Sequence, residues 1–228
     1  MKYDWSYTGE NGPENWHGLC EEFSEAEKFP LQSPIGLSKE ESTVDLEGCS
    51  LHFHYQEQLF TEKEFKNTFH FVPIDLKSSV TFHGEKYFLT DIHFHTPSEH
   101  ILEAIHSPLE VHLVHMNALG ENLVVGSLFL ISDSGEEFSW EKGGHEQVFL
   151  PEFFLPKASS HFHYVGSLTT PPTKGPIHWF VFDTFSAVNF SFLELISSGI
   201  PFENNRPLQE RRDRKIVYCS NKNSSTFD

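Results

Sequence analysis

Two hairpin signals in the middle of the chain constrain its fold more than any other feature. The four strand-like segments concerned are Val80–Phe82, Lys86–His95, Leu109–Met116 and Leu123–Ile131. The turn His83-Gly84-Glu85 separates the first two segments, and a turn that contains Gly120 separates the last two. Short apolar segments that flank glycine-containing turns are typical of antiparallel strands. The centre of the chain is therefore predicted to form an antiparallel sheet.

Further strands and two short helices are predicted outside this centre. Pro176–Asp183 and Lys215–Cys219 have the composition of strands. Apolar residues recur at helical spacing over Leu19–Phe29, which predicts a short helix. A late helix is predicted at Ser191–Glu194, which has the Ser-x-x-Glu form of a capping box, with Gly199 as its stop.

The whole chain, residues 1–228, is predicted to be a single domain. A length of 228 residues suits one core, and no repeat, low-complexity tract or linker divides the sequence. The 23 Phe residues favour pleated, half-buried positions. The predicted fold class is mainly β, with a large, mostly antiparallel twisted central sheet and a few short peripheral helices.

The charge balance argues against nucleic acid as a partner. The chain has 16 Lys and Arg against 33 Asp and Glu, and a formal net charge of −17 repels phosphate backbones. The basic cluster from Arg211 to Lys215 is short and is interrupted by Asp213, so we interpret it as a solvated surface. No apolar run approaches the length of a membrane span, so no such span is expected.

The 15 histidines indicate metal or proton chemistry, because imidazole is a common metal ligand and titrates near neutral pH. Six of them form the His-x-His pairs His52/His54, His93/His95 and His161/His163. On a strand, residues two apart point to the same face, so each pair could chelate one ion. A pair alone is weak evidence, because zinc takes three or four protein ligands in structural and catalytic sites.

The pair His93/His95 is followed by a strand-like segment that offers a third imidazole. This segment contains His112 and His115, which would lie on opposite faces of a strand. Either histidine could complete three ligands and leave one tetrahedral position for water, the arrangement of catalytic zinc. Glu110 shares the face of His112, and a ligand imidazole usually donates its other N–H to such an acceptor. This favours His112 and leaves His115 as an ordinary packed or surface histidine.

Two longer motifs contain these residues, and a third motif is a threonine- and proline-containing segment later in the chain. They are Ile92–His100 (IHFHTPSEH), Glu110–His115 (EVHLVH) and Gly166–Pro172 (GSLTTPP). All three resemble hallmarks of the alpha-class carbonic anhydrases in their bacterial form. Weaker similarities follow the order of that family, at Trp5–Tyr7, Asn11–Glu14, Gln32–Ile35 and Asn205–Pro207. The resemblance covers nearly the whole chain and implies a Zn²⁺ enzyme that converts CO2 reversibly to bicarbonate and a proton.

The resemblance also implies a role for each motif residue. His93, His95 and His112 would bind zinc. Glu110 would orient His112. Thr169 would accept a hydrogen bond from the zinc-bound hydroxide that attacks CO2. The hydroxyl of Thr169 would donate to the Glu99 carboxylate, which can only accept.

Further residues follow from the same resemblance. His70 aligns with the proton-shuttle histidine of the family, although Phe69 stands where the family usually has glycine. Asp91 replaces the usual Gln beside the first ligand and is expected to support His93 more strongly. Because CO2 is uncharged, an apolar pocket is also expected. The pocket residues would be Tyr7, Val114, Val124, Leu168, Thr170, Ile177 and Trp179.

The cysteines bear on the expected compartment. Many exported members of the family carry a disulfide between the N-terminal region and the residue after the Pro-Pro pair. Here Thr173 follows Pro172, and Glu27 lies near the other position. Cys20 and Cys219 are not expected to replace that bridge, so free thiols are predicted. Because the first residues also lack the features of a signal peptide, a cytoplasmic protein is expected, with a periplasmic or secreted one whose leader was removed as the alternative.

Two other functions fit parts of the pattern. A non-catalytic relative would share the fold but have lost zinc ligands, whereas all ligand positions are intact here. A zinc hydrolase of another class would need its own motif, and the sequence has neither a His-Glu-x-x-His segment nor a Gly-x-Ser-x-Gly elbow. By the family resemblance, sulfonamides and inorganic anions would act as inhibitors. The sequence leaves a homodimer open.

Overall fold

A computed structural model of the chain describes residues 4–24, 28–45, 49–65, 68–138, 146–157, 160–200 and 203–220. In chain order the strands are β1 Gly36–Leu37, β2 Thr43–Asp45, β3 Leu51–His54, β4 Gln58–Phe65, β5 Thr68–Pro73, β6 Ser79–Phe82, β7 Glu85–His95, β8 Ile101–Leu102, β9 Ile105–His106, β10 Leu109–Met116, β11 Asn122–Glu136, β12 Glu146–Phe149, β13 His161–Gly166, β14 Ile177–Phe182, β15 Ser186–Val188 and β16 Ile216–Cys219. The α-helices are α1 Glu21–Ser24 and α2 Phe190–Ser197, and short 3-10 helices cover Gly9–Asn11, Trp16–Gly18 and Pro151–Phe154.

One large sheet dominates the structure. Its main path has the order β12-β4-β5-β7-β10-β11-β14-β13-β16-β2; β15 pairs with β11, and β3 and β6 extend from β7. Most neighbours are antiparallel, while β14 and β15 run parallel to β11 and β2 runs parallel to β16. A separate small sheet contains β1, β8 and β9. The predicted fold class is confirmed.

Both predicted hairpins occur. β6 and β7 pair antiparallel up to Phe82 and Glu85, and His83 and Gly84 between them have φ angles of 50° and 80°. A two-residue turn with both φ angles positive favours glycine, which explains Gly84. β10 and β11 form the second hairpin, but β11 extends to Glu136, five residues beyond the predicted end. The extension pairs with β15, a contact that local sequence could not indicate.

Both helices differ from their predictions. α1 covers only Glu21–Ser24, and residues 25–27 of the longer predicted helix lie outside the described residues. The capping-box prediction is wrong, because α2 begins at Phe190 and its cap is Asn189, whose side chain accepts a hydrogen bond from the Phe192 N–H at 2.8 Å. Asparagine is as good an N-cap as serine, and Asn189 has the extended backbone that a cap requires. Within the described ranges, no helix combines the length and apolar character needed to cross a bilayer.

The two faces of the central strands have different environments. On β7, Ile92 and Phe94 belong to a phenylalanine-rich core, and on β10 Val111 and Leu113 belong to the same core. Because side chains alternate along a strand, the intervening residues of β7 and β10 point to the opposite face. That face carries His93, His95, Glu110 and His112, with a second apolar cluster around Trp179 beside them.

The prediction of free thiols is wrong for two of the three cysteines. Cys49 and Cys219 form a disulfide with a Cα–Cα distance of 6.0 Å, while Cys20 is free. The bridge arises because β16 pairs with β2, which places Cys219 opposite Asp45, and Cys49 follows Asp45 closely in the chain. The two cysteines are 170 residues apart, so their spacing gave no sign of the contact. The disulfide contradicts the cytoplasmic expectation, which relied in part on free thiols.

Candidate metal centre

Three histidine side chains converge on one face of β7 and β10. His93 and His112 are directly opposite in the antiparallel register, and His95 follows two residues along β7 on the same face. A nitrogen from each of the three rings lies within 4.8 Å of the other two. His95 and His112 are almost completely buried, and the His93 side chain is 15% exposed. The three residues favoured as ligands on sequence grounds are thus brought together.

Each of these imidazoles has one nitrogen engaged by the protein. Nδ1 of His93 lies 2.5 Å from Oδ2 of Asp91, and Nδ1 of His95 donates to the backbone carbonyl of Asn204 at 2.8 Å. Nε2 of His112 lies 2.8 Å from Oε1 of Glu110. Such contacts fix the tautomer of a ligand histidine and leave the other nitrogen for a metal.

The residues present fit a zinc ion. Nε2 of His95 is buried without a hydrogen-bond partner, an arrangement that costs free energy unless something else binds there. Burial lowers the pKa of His95 well below its usual value and that of His112 to about 4, so both rings are neutral, as metal ligands must be. Three neutral imidazoles are a known donor set for catalytic zinc.

Glu110 is held by a buried network. Its Oε2 accepts hydrogen bonds from the backbone N–H groups of Glu99 and His100, each at 2.8 Å. Nδ1 of His100 lies 2.6 Å from Glu110 Oε1, and Nε2 of the same ring lies 2.7 Å from the Tyr164 hydroxyl. Burial raises the pKa of Glu110, but His100 and His112 outweigh it and hold that pKa well below its usual range. The carboxylate is therefore charged and rigidly placed.

The Glu110 carboxylate packs closely against a glycine, Gly126. Gly126 of β11 is the register partner of His112, and a Cβ atom on Gly126 would lie 3.2 Å from Glu110 Oε1. A contact that short would require the carboxylate to move. The close approach of Glu110 to β11 therefore depends on the absence of a side chain at this position.

Glu99 and Thr169 lie together beside the triad. Oε1 of Glu99 accepts a hydrogen bond from the backbone N–H of Arg206 at 2.8 Å, and Oε2 of Glu99 lies 3.5 Å from Nε2 of His95. Burial raises the pKa of Glu99 well above its usual value, and the hydroxyl of Thr169 counteracts part of that rise. Oε2 of Glu99, the oxygen close to the open nitrogen of His95, has no hydrogen-bond partner among the described residues.

His70 lies against the triad rather than at a distance from it. Its Nδ1 is 2.7 Å from Oδ1 of Asp91, and its ring centroid is 4.8 Å from that of His93. Asp91 therefore bridges His70 and His93 with its two oxygens. Burial raises the pKa of Asp91, but the two histidines outweigh it and lower that pKa to about 2. The His70 side chain is 19% exposed.

Apolar residues form a wall beside the three histidines. The Trp179 ring lies 4.9 Å from that of His112, and its Nε1 donates to the Ser167 carbonyl at 2.9 Å. Five of the predicted pocket residues pack in the same cluster: Val114, Val124, Leu168, Ile177 and Trp179. Tyr7 belongs to a separate aromatic cluster with Trp5 and Trp16, and burial, with a smaller effect of the Glu99 charge, raises its pKa well above the usual value. The backbone carbonyl of Thr170 accepts a hydrogen bond from Thr173.

Comparison with known proteins settles which family has this arrangement. Residues 11–220 match the family described as eukaryotic-type carbonic anhydrase. The chain belongs to this family. The resemblance inferred from the three motifs is confirmed, and the chain is classed with the carbonic anhydrases as an enzyme.

Carbonic anhydrases are among the most similar relatives and solved structures. The carbonic anhydrase of Neisseria gonorrhoeae is 28% identical over 225 residues, which cover 93% of this chain and 87% of the relative. The alpha-carbonic anhydrase of Thermovibrio ammonificans, solved with the inhibitor sulfanilamide, superposes with a TM-score of 0.84 at 28% identity, over 95% of this chain and all of that one. Dioscorin in complex with ascorbate superposes with a TM-score of 0.83 at 26% identity, over 95% of this chain and 98% of that one.

Sequence reasoning missed three residues that support this carbonic anhydrase site. His100 stands inside a quoted motif, and its spacing from Glu110 gave no sign that the two side chains meet. The Asn204 carbonyl orients His95 from 109 positions away, and a backbone acceptor has no sequence signature. Arg206 was part of a recognised motif, but its backbone contact with Glu99 was not foreseen.

The other histidines considered as ligands lie elsewhere. His115 is on the opposite face of β10 from His112, where its Nε2 lies 2.8 Å from the Tyr55 hydroxyl. His52 and His54 are exposed on β3. Nε2 of His163 lies 3.2 Å from Nδ1 of His178. These two histidines are on β13 and β14, and β11 separates those strands from β10 of the triad.

We expect acid to destabilise the protein through two of these histidines. Burial lowers the pKa of both His115 and His163 from 6.5 to about 3. Between about pH 6.5 and pH 3 the unfolded chain therefore binds more protons than the folded chain, and the free energy of unfolding falls as the pH is lowered. Each group contributes at most about 1.4 kcal/mol per pH unit.

Urea unfolding at several pH values below neutrality would measure this dependence. His163→Gln should reduce the slope of the unfolding free energy against pH, because one titrating group is removed. His52→Gln, on the exposed strand β3, is the matched control and should leave the slope unchanged. An equal slope in the wild type and in His163→Gln would contradict the expectation.

Proposed function

We propose that His93, His95 and His112 hold Zn²⁺ and that the chain catalyses the reversible hydration of CO2 to bicarbonate and a proton. The observation that carries the proposal is the convergence of three imidazoles, each with an acceptor at its other nitrogen. Membership in the carbonic anhydrase family supports the same reaction. When bound, the ion would supply the Lewis acidity that makes water a nucleophile near neutral pH.

The protein contributes orientation of the ligands and of the attacking water. Asp91, the Asn204 carbonyl and Glu110 hold the three rings in place, so that the donor atoms are positioned before the metal arrives. A cation held by the triad would favour the charged form of the nearby Glu99 carboxyl. The Thr169 hydroxyl then donates to Glu99, and its oxygen is left to accept a hydrogen bond from the water.

The apolar wall suits an uncharged substrate. CO2 has no net charge and accepts hydrogen bonds poorly, so it is expected to occupy space beside Trp179 and its neighbouring aliphatic residues. These side chains would also exclude competing water from the place where the carbon is attacked. We propose the same space for the ring of aromatic sulfonamides, since the Thermovibrio ammonificans relative was solved with sulfanilamide.

Zinc removal tests the proposal on the wild-type protein. Dialysis against a strong chelator should abolish CO2 hydration, and one equivalent of Zn²⁺ should restore it, because the proposed nucleophile depends on the Lewis acidity of the ion. Stopped-flow hydration assays with parallel elemental analysis measure both quantities. A chelated protein that retains its rate, or a native protein that takes up no zinc, would refute the proposal.

We further propose that His70 passes the released proton to solvent. Asp91 fixes the ring through Nδ1, and the side chain is partly exposed, so the ring connects the site with the surface. His70→Ala should slow turnover roughly tenfold or more in dilute buffer, and added imidazole should restore it. Hydration rates against buffer concentration provide the measurement.

Zinc content separates a shuttle from a support role in the same variant. His70→Ala with full zinc content and imidazole rescue supports proton transfer. Loss of zinc instead would indicate that His70 acts by supporting Asp91, which also contacts His93. An unchanged rate in dilute buffer would mean that protons leave by another route.

A further inference from the structure

A second cluster of metal-ligand side chains lies near the edge of the sheet formed by β16 and β2. Cys49 precedes β3, His161 begins β13 and Cys219 ends β16. His161 and Cys219 are directly opposite in the antiparallel register, and Cys49 is joined to Cys219 by the disulfide. One ligand-type atom of each residue lies within 4.8 Å of the other two, and all three residues are at most 6% exposed.

This cluster is separate from the carbonic anhydrase triad. The ring of His161 lies 5.5 Å from that of Phe180 and 6.0 Å from that of Phe182, both of which belong to the phenylalanine-rich core. The triad lies on the opposite face of the sheet, beside the cluster around Trp179. His161 belongs to one of the three His-x-His pairs, and the hydration reaction gives this pair no role.

The donor set and spacing suit a zinc-like ion once the disulfide is open. Zinc lies about 2.3 Å from thiolate sulfur and about 2.0 Å from imidazole nitrogen, which puts tetrahedral donor atoms about 3.5–3.8 Å apart. The Cα atoms of Cys49 and Cys219 are 6.0 Å apart, so side-chain rotation alone can open the two sulfurs to that distance. Nε2–H of His161 donates to the Cys49 carbonyl at 2.9 Å, the kind of contact that orients a ligand imidazole.

We propose that Cys49, His161 and Cys219 form a second metal site, for a thiophilic divalent ion such as Zn²⁺, that exists only in the reduced protein. A dithiol reductant supplies two electrons and two protons, the S–S bond breaks to give two thiols, and the reductant becomes a disulfide. Metal binding then releases the two thiol protons. In the reverse step a disulfide oxidant takes two electrons from the two thiolates and becomes a pair of thiols, the Cys49–Cys219 bond forms again, and the ion is released because both sulfur ligands are lost.

Cobalt binding to the full-length protein provides the test. The protein is reduced with a phosphine under anaerobic conditions and titrated with Co²⁺, and the sulfur-to-cobalt charge-transfer absorption is recorded in the near ultraviolet. We expect this absorption in the reduced protein, where it should saturate once the cysteine site holds one Co²⁺, and we expect it to be absent in the oxidised protein. A site made only of histidines gives no such absorption, so the result does not depend on whether the triad binds metal.

Two variants control the test. Cys20→Ser removes the cysteine outside the cluster and should keep the absorption. His161→Asn should weaken Co²⁺ binding at the reduced cysteines by more than about tenfold, because one of three ligands is lost. Near-ultraviolet circular dichroism reports whether the reduced protein is folded.

Three results would overturn the proposal. The first is a folded, reduced wild-type protein without the absorption. The second is equal Co²⁺ affinity in His161→Asn, which would show that the thiolates bind without the imidazole. The third is a reduced protein that stays unfolded with or without Co²⁺.

Discussion

Replacing His95 with Ala is expected to abolish stoichiometric zinc binding and to lower the CO2 hydration rate by more than about a thousandfold. The variant keeps only two of the three converging imidazoles, and zinc needs at least three protein ligands to be held firmly in a catalytic site. The change also removes the hydrogen bond that Nδ1 of His95 donates to the Asn204 carbonyl. Elemental analysis after dialysis and stopped-flow hydration measure the two effects.

His52→Ala is the matched control for this variant. His52 belongs to another His-x-His pair on a strand, but its side chain is exposed on β3 and lies outside the triad. The control should bind zinc and hydrate CO2 like the wild type. Near-normal hydration by a zinc-free His95→Ala protein would refute the assignment of the triad, while a loss of both properties in His52→Ala would show that histidine substitutions act through folding.

Replacing Cys219 with Ser is expected to lower the free energy of unfolding by about 3–5 kcal/mol. The disulfide joins residues 170 positions apart, and a cross-link over so long a loop strongly restricts the unfolded chain. The bridge also ties the end of β16 to the segment after β2, at one edge of the large sheet. Urea unfolding without reductant, followed by tryptophan fluorescence, measures the difference.

Cys20→Ser provides the comparison, since Cys20 is outside the bridge. Its stability should equal that of the wild type under the same conditions. Equal stability of Cys219→Ser and the wild type would contradict the prediction. The mass of the intact wild-type protein gives an independent check, because the disulfide requires a deficit of two protons relative to the reduced chain.

The parts of the structure that sequence reasoning predicted are those with local signals. The β6–β7 and β10–β11 hairpins follow from alternating apolar residues and glycine turns. His93, His95 and His112 could be grouped because the pairing of two strands, β7 and β10, brings them together and Glu110 shares their face. A period of two along a strand was enough to separate His112 from His115.

The parts that were missed depend on contacts between distant segments. The Cys49–Cys219 bridge requires the pairing of β16 with β2, and the acceptor for His95 is a backbone carbonyl in a loop near the C-terminus. Neither partner carries a residue pattern that marks the contact. The misplaced cap of α2 has a different cause, because Asn189 and Ser191 are both good capping residues and tertiary packing decides where the helix begins.

Side chains alternate between the two faces along β7 and β10, so the phenylalanine-rich core and the three histidines lie on opposite faces of the same two strands. A slip of β10 by a single residue would carry His112 into the hydrophobic layer and bring Val111 or Leu113 to the ligand position. The packing of the phenylalanine-rich core on one face of the sheet therefore fixes the strand register that sets the distances between the three histidines on the other face. Redesign of that buried layer for heat tolerance is therefore expected to change the spacing of the three histidines as well.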